Sequence, residues 1–267
     1  MRFNIRHATQ YRYGTPGSCA VQRLRLTPRD NRAQTVSEWH IETPGIEHAA
    51  TYTDGFGNLV HLVTHQASYD TMSVVASGEV QTRDTGGVLG DLPESASPML
   101  FMRRTPLTES SAGIDAMADR MPATSTLSCL HHLLEAIATQ VAYVQNSTHS
   151  GTNAAEAFSA GAGVCQDHAH IFIAASRRLG IPARYVTGYL HIESKGPAAA
   201  NHAWAEAYIG GLGWVGFDPA NNICPTERYI RLACGFDAKA ASPIVGTRRG
   251  GGSERLTVDV MVEQKQQ

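Results

Sequence analysis

The sequence predicts an α+β protein in which an antiparallel β-sandwich-like region precedes a region of helices and antiparallel strands. Three observations predict it. Short runs before residue 83 alternate polar and apolar side chains, residues 84–110 are rich in Gly, Pro and Ser, and helical spacing followed by further strands begins near residue 111. We therefore expect a β domain at 1–83, a linker at 84–110 and a second domain at 111–267.

Period-two alternation marks the strands of the first region. It occurs at residues 9–13, 22–26, 39–41, 58–63 and 74–80. The turn residues of Asp54-Gly-Phe-Gly-Asn58 separate two of these runs. Several short strands with regular turns are typical of a β-sandwich.

Helical spacing dominates between residues 111 and 180. Residues 111–119 form a short candidate helix, and residues 125–142 form a longer one with leucines at helical intervals. Asn153 and Glu156 have the spacing of a capping box. A further helix begins near Cys165 and ends before Pro182, and its apolar middle predicts that it is buried.

Strands return after this helix. They are predicted at 183–192, 202–209 and 214–217, and the glycines between the last two indicate a hairpin. An alternating run at 256–262 is a candidate strand to complete a sheet.

Composition and charge argue against several classes of function. The net charge of −2 gives no electrostatic basis for binding nucleic acid. No apolar run approaches the roughly 18 residues that span a bilayer, and the first residues lack the apolar core of a signal peptide, so we expect no membrane association and a cytoplasmic location. The five cysteines form no CxxC pair, which disfavours a disulfide framework or a structural zinc site.

Cys165 is the cysteine with unusual surroundings. It follows the turn Gly161-Ala-Gly-Val and precedes the apolar run that starts at Ile171. Free backbone N–H groups and the positive end of the helix dipole favour a thiolate at such a position, which makes a cysteine nucleophilic. A single cysteine before an apolar helix is, on its own, more often a core residue.

His202 and Asp218 supply the partners that a nucleophilic thiolate needs for acyl transfer. A histidine can protonate the leaving group, and a carboxylate on its other ring nitrogen orients the imidazole. Both side chains must lie on one face of the predicted hairpin, so the residue numbers of paired positions must have an even sum. Pairing Tyr208 with Trp214 meets this condition and leaves a loop at 209–213. In this register Ala203, Ala205 and Ala207 project from the opposite face, which suits a face packed against a helix.

The other polar residues near Cys165 have simpler interpretations than a metal site. On a helix, His168 and His170 lie about 200° apart, so both cannot reach a metal ion that Cys165 holds. Asp167 in the first helical turn is expected to act as a cap. His168 remains a weak candidate for a substrate-contacting residue.

Three segments closely resemble the motifs of the transglutaminase-like superfamily, and in particular its bacterial cysteine-protease branch. They are Gly163-Val-Cys-Gln-Asp-His-Ala-His170, Asn201-His-Ala-Trp-Ala-Glu206 and Gly213-Trp-Val-Gly-Phe-Asp-Pro219. The resemblance extends to the N-terminal strands and to Tyr229-Ile-Arg-Leu-Ala233. The sequence departs from the family's usual Asp-Pro-Thr pattern at Ala220, which follows Asp218 and Pro219 in place of the threonine.

The resemblance implies a papain-like, transglutaminase-like core with the catalytic residues Cys165, His202 and Asp218. Trp204 and Tyr189 are, with His168, weak candidates for the walls of the substrate cleft. Animal transglutaminases depend on calcium, but this sequence has no dense acidic loop to bind it, so we expect no metal or other cofactor.

The favoured function is a cysteine-dependent amide hydrolase, a peptidase or amidase, that acts on a peptide or protein amide through a thioester. Two alternatives stay open. The same triad serves a protein-glutamine transglutaminase or deamidase, and an inert triad would leave a non-enzymatic binding module.

Overall fold

The computed structural model describes residues 1–66, 68–92, 96–192 and 201–265 and has the predicted α+β class. The strands in this part of the chain are β1 Arg2–Thr27, β2 Gln34–Glu42, β3 Ala50–Thr53, β4 Leu59–His65, β5 Tyr69–Thr82, β6 Val88–Gly90, β7 Ala142–Tyr143, β8 Ala162–Gly163, β9 Ala183–Leu190, β10 Asn201–Ile209, β11 Gly213–Phe217, β12 Tyr229–Gly235, β13 Ile244–Gly250 and β14 Glu254–Gln264. The α-helices are α1 Ala112–Ala118, α2 Thr126–Gln140, α3 Ala154–Ala160 and α4 Cys165–Arg178.

The first sheet is antiparallel and is built around β1. Its order is β2-β5-β1-β4-β3, and β13 and β14 also pair with β1. The first half of β1 lies between β5 and β14, whereas its second half lies between β4 and β13. Strand β1 therefore contains two of the predicted short strands, residues 9–13 and 22–26. The predicted sandwich-like region is one curled antiparallel sheet, which also includes the C-terminal strands β13 and β14.

The second sheet is also antiparallel and carries the candidate site. Its order is β12-β9-β10-β11-β6. Strand β6 comes from the segment predicted as a linker, and the same segment supplies Phe101, whose buried ring packs edge-on against Trp214. The division of the chain at residues 83 and 111 stays a prediction about independent folding units.

The second sheet packs against both α4 and the first sheet. Ala203, Ala205 and Ala207 share a buried apolar core with α4, as the predicted hairpin register requires. Tyr189 lies opposite Asn201 and so projects from the same face as these alanines, and together with Ile230 it joins a core formed with the first sheet. Because burial of each large apolar side chain contributes about 1.5–3 kcal/mol, these two cores fix the position of the sheet that carries the site.

Polar side chains cap the first turns of α1, α2 and α3. Asn153 Oδ1 accepts the Glu156 N–H at 2.9 Å, and Glu156 Oε2 accepts the Asn153 N–H at 3.0 Å, so the predicted capping box of α3 is confirmed. Ser111 and Ser125 cap α1 and α2 in the same region of the chain.

None of the helices in the described ranges combines the length and the apolar character needed to cross a membrane.

Candidate active site

Cys165 is the first residue of α4 and is half-buried there. Asp167 Oδ2 accepts the Val164 N–H at 2.8 Å, which confirms the expected capping role of Asp167 and fixes the first turn. A Cβ atom on Gly163 would lie 2.7 Å from the Asp167 Cβ, so the glycine leaves room for this cap. Cys165 and Gln166, the first two residues of the helix, have no acceptor for their backbone N–H groups within α4, whereas the Asp167 N–H donates to the Val164 carbonyl oxygen at 3.0 Å.

His202 and Asp218 lie at neighbouring strand ends of the hairpin β10–β11. The register pairs Tyr208 with Trp214, as predicted from the condition that paired residue numbers have an even sum. The ladder continues to Ile209 and Gly213, so the turn is shorter than the expected loop at 209–213. This register places His202 Nε2 2.7 Å from Asp218 Oδ2.

Asp218 is fully buried and accepts several hydrogen bonds besides that of His202. Tyr229 Oη and Asn221 Nδ2 each donate to Oδ2 at 2.7 Å. The Ala220 N–H donates to Oδ1 at 3.0 Å. These donors stabilise the ionised carboxylate and hold the oxygen that faces the imidazole in place.

The electrostatics of the pair favour a charged imidazole. Burial acts to lower the pKa of His202, but hydrogen bonds to Asp218 and Cys165 and the negative charges of both groups raise it to about 10. Burial acts in the opposite sense on Asp218, and hydrogen bonds and charge from His202 together with the donors Tyr229 and Asn221 lower the pKa of that carboxyl. At neutral pH, His202 is therefore an imidazolium between a carboxylate and the sulfur of Cys165.

Behind the histidine, the same face of β10 carries a buried ionic cluster. Glu206 Oε2 accepts from Arg184 Nε at 2.6 Å, and Glu206 Oε1 accepts from Arg231 Nε at 2.8 Å. Arg184 also stacks on the Trp214 ring at 3.7 Å from its centroid. The ion pairs join β9, β10 and β12, and the stacking of Arg184 on Trp214 adds β11. The cluster therefore connects the strands that position His202, Asp218 and Tyr229.

The three weak candidates for cleft walls lie elsewhere. His168 is buried, with Nδ1 2.9 Å from the Val164 carbonyl oxygen and Nε2 2.9 Å from that of Val141. Trp204 is buried beside His202, with ring centroids 6.4 Å apart. Tyr189 is fully buried, and its hydroxyl lies 2.9 Å from His7 Nδ1. None of the three lines the cavity next to Cys165.

Sequence reasoning missed Tyr229 and Asn221 as positioning residues. Tyr229 opens β12, and its segment was recognised only as part of the family resemblance. Asn221 lies in the short turn that is closed by the bridge between Asp218 and Ile223. The polar residues Asn221 and Asn222 directly after Asp218-Pro219-Ala220 are the local signal from which an additional donor could have been predicted.

A cavity of about 410 Å³ contains both Cys165 and His202 in its wall. It meets a second cavity of about 820 Å³ through Gln166, Tyr185 and Thr187, which both cavities share. Cys165 does not line the second cavity, which adjoins the first beside the neighbouring residue Gln166. Among the residues that the structure describes, no group of three or more His, Cys, Asp and Glu is arranged to hold a metal ion.

Two family models match the chain. Residues 115–219 match the transglutaminase-like superfamily, and residues 3–81 match the bacterial transglutaminase-like N-terminal region. An uncharacterized protein of Mycobacterium leprae is 29% identical, with 98% of each chain covered. An uncharacterized protein of Mycobacterium tuberculosis is 28% identical over 98% of this chain and 92% of its own length.

The fold is also that of a solved structure. The crystal structure named "Putative Cysteine Protease" from Cytophaga hutchinsonii superposes with a TM-score of 0.75 at 24% identity, covering 100% of this chain and 92% of that one. The matches cover both sheets and the segment that carries Cys165, His202 and Asp218. The chain therefore carries a domain of the transglutaminase-like superfamily at residues 115–219 and the bacterial transglutaminase-like N-terminal region at residues 3–81.

Proposed function

We propose that the protein is a cysteine-dependent amide hydrolase that acts on a peptide or protein amide through a thioester on Cys165. The observation that carries the proposal is the position of His202, whose Nε2 lies 2.7 Å from a buried aspartate and whose pKa is raised by hydrogen bonds to Asp218 and Cys165. An orienting carboxylate, an imidazole and a thiol in this order form the arrangement that activates a cysteine nucleophile.

The first half of the reaction forms the thioester. The Cys165 thiolate attacks the carbonyl carbon, and the oxyanion lies near the N–H groups of the first turn of α4. The C–N bond then breaks as the His202 imidazolium transfers its proton to the leaving nitrogen. An amine or ammonia is released, and the acyl group stays on the sulfur.

The second half regenerates the enzyme. A water molecule attacks the thioester carbonyl while neutral His202 accepts its proton. The C–S bond breaks, the carboxylic acid product leaves, and the thiolate–imidazolium pair is restored. An amine in place of water would form a new amide by the same steps, which is the transglutaminase outcome.

Replacement of Cys165 with Ala tests the proposal. A library of peptide amides is incubated with the wild type and with Cys165→Ala, and new amino termini and ammonia are measured with and without a primary amine. We expect at least a thousandfold loss of turnover in Cys165→Ala. The matched control is Cys224→Ala, which removes another half-buried thiol and keeps wild-type turnover.

Each other outcome identifies a different function. Products that carry the added amine would assign a transglutaminase. If the wild type turns over no amide and iodoacetamide alkylates Cys165 no faster than Cys224, the triad is inert and the hydrolase proposal is wrong.

A further inference from the structure

Part of the wall of the cavity that Cys165 lines comes from strands near the two ends of the sequence. Strand β1 contributes His7, Thr9 and Tyr11, and strand β14 contributes Leu256 and Val258. These strands belong to the first sheet, whereas Cys165 lies on α4 and His202 lies on β10 of the second sheet. The first sheet therefore forms part of the cleft.

The strand register explains why these five side chains meet. Thr9 lies opposite Val258, and Tyr11 lies opposite Leu256. Directly opposed residues of an antiparallel pair project from the same face, and alternate residues along one strand do so as well. The cavity wall is thus one continuous face of the β1–β14 pair.

This wall is electrically neutral. Among the described residues that line the cavity there is no Asp, Glu, Lys or Arg. Burial lowers the pKa of His7 to about 4, and its ring nitrogens lie near the hydroxyls of Tyr189 and Thr9. Burial also raises the pKa of Tyr11 to about 12. Both side chains are therefore uncharged at neutral pH.

The outer part of the wall is apolar and open to solvent. Leu256 is 52% exposed and Val258 is 43% exposed, whereas Val260, the next residue on this face, is buried. Apolar side chains that face a cleft beside a nucleophile gain hydrophobic stabilisation when an apolar ligand covers them. A charged ligand group at the same position would lose hydration without gaining a partner.

We propose that the β1–β14 face is the specificity wall of the enzyme and that it selects substrates whose acyl part carries an uncharged, apolar side chain next to the scissile carbonyl. The inference rests on the proposed function, because it names the class of acyl group that Cys165 takes. The acyl part is the one assigned to this cavity because Cys165, which holds it as the thioester, lines the same space.

Charge substitutions at Val258 test the inference. Val258→Asp and Val258→Lys place a negative or a positive charge in the wall. Thr257→Asp is the matched control, because Thr257 is exposed and projects from the opposite face of β14. Circular dichroism verifies that each variant is folded.

The probes are peptidyl chloromethyl ketones with Leu, Glu or Lys next to the ketone. The Cys165 sulfur forms a bond to the methylene carbon, and chloride leaves. The second-order rate of alkylation of Cys165 is measured by mass spectrometry and divided by the rate with iodoacetamide, which reports the reactivity of the thiol alone.

We expect the wild type and Thr257→Asp to react with the Leu probe at least about tenfold faster than with the Glu and Lys probes. Val258→Asp should shift the preference toward Lys by about tenfold, and Val258→Lys should shift it toward Glu. Equal rates with all three probes in the wild type, or the same preference in both Val258 variants as in Thr257→Asp, would overturn the inference.

The measurement is independent of amide turnover. If the probes show the expected preference but no amide is hydrolysed, the hydrolase proposal fails and the specificity wall stands. If amides are hydrolysed without regard to charge, the specificity wall fails and the hydrolase proposal stands.

Discussion

Replacement of Asp218 with Asn should remove the group that keeps His202 protonated. The amide has nearly the same shape, but it carries no negative charge. In the wild type, burial acts to lower the pKa of His202 and the partners Asp218 and Cys165 raise it from 6.5 to about 10. At about 1.4 kcal/mol per pH unit, the net preference for the imidazolium is on the order of 4–5 kcal/mol.

The charge and the hydrogen bond of Asp218 supply a large part of this preference. Without them, burial continues to disfavour the imidazolium, so the pKa of His202 falls. We expect kcat/KM for a peptide amide to decrease by roughly 10²- to 10⁴-fold, the range in which loss of a triad carboxylate acts. The alkaline limb of the pH profile, which follows loss of the His202 proton, should move down from near pH 10.

The assay is kcat/KM between pH 5 and 11, together with ¹⁵N NMR titration of the His202 ring. Asp115→Asn on α1 is the control, because it makes the same chemical change on a helix that contributes nothing to the cavity wall. Wild-type kcat/KM and an unmoved alkaline limb in Asp218→Asn would refute the assignment of Asp218 as the partner of His202.

Three further predictions concern groups around the site. Tyr229→Phe removes one donor from the buried carboxylate, a hydrogen bond of about 1.5–3 kcal/mol, so kcat/KM should fall roughly 10- to 100-fold and the alkaline limb should move; a change in stability without either effect would contradict a positioning role. Glu206→Gln removes the carboxylate that binds Arg184 and Arg231, and urea unfolding should show a loss of about 3–5 kcal/mol in the free energy of unfolding. A loss below about 1 kcal/mol would show that the ion pairs do not hold the strands together. Burial lowers the pKa of His170 to about 4, so between pH 6.5 and 4 the unfolded chain binds a proton at this residue that the folded chain does not. The free energy of unfolding should therefore fall as the pH falls through this window, and an unchanged pH dependence in His170→Gln would show that His170 is not its cause.

The parts of the fold that follow from local patterns were predictable. The capping box at Asn153 and Glu156 and the start of α4 at Cys165 depend on residues within one turn of each other. The pairing of Tyr208 with Trp214 depends on a short turn and on the parity of the strand period. These local rules are sufficient to bring His202 and Asp218 to one face.

The contacts that were not predictable join distant parts of the chain. The pairing of β1 with β14 brings residues near the two ends together, and no local pattern specifies which strand accepts a C-terminal strand. For the same reason, the sequence did not show that Thr9 and Val258 form a wall of the cleft. Tyr229 reaches Asp218 from another strand, and a tyrosine at the start of a strand carries no signal of such a bond.

His168 illustrates a different limit. Its spacing from Cys165 made it a reasonable residue for the cleft, because both lie near one side of the first helical turn. In the structure, the chain end of α2 covers that side and Val141 offers its carbonyl oxygen to the ring. Helical spacing gives the direction of a side chain but not the element that packs against it.

The proposed mechanism requires Cys165 to form a thioester with the acyl part of the substrate. This thioester can be trapped by mixing the wild type with a peptide amide that ends in an apolar residue, quenching with acid, and measuring the intact mass and the peptide map. We expect a mass gain equal to the acyl group on the peptide that contains Cys165, and hydroxylamine should remove it. The adduct should be present in Cys224→Ala and absent in Cys165→Ala. Amide turnover with no acyl adduct on Cys165, or an adduct that persists in Cys165→Ala, would show that Cys165 does not carry the acyl group.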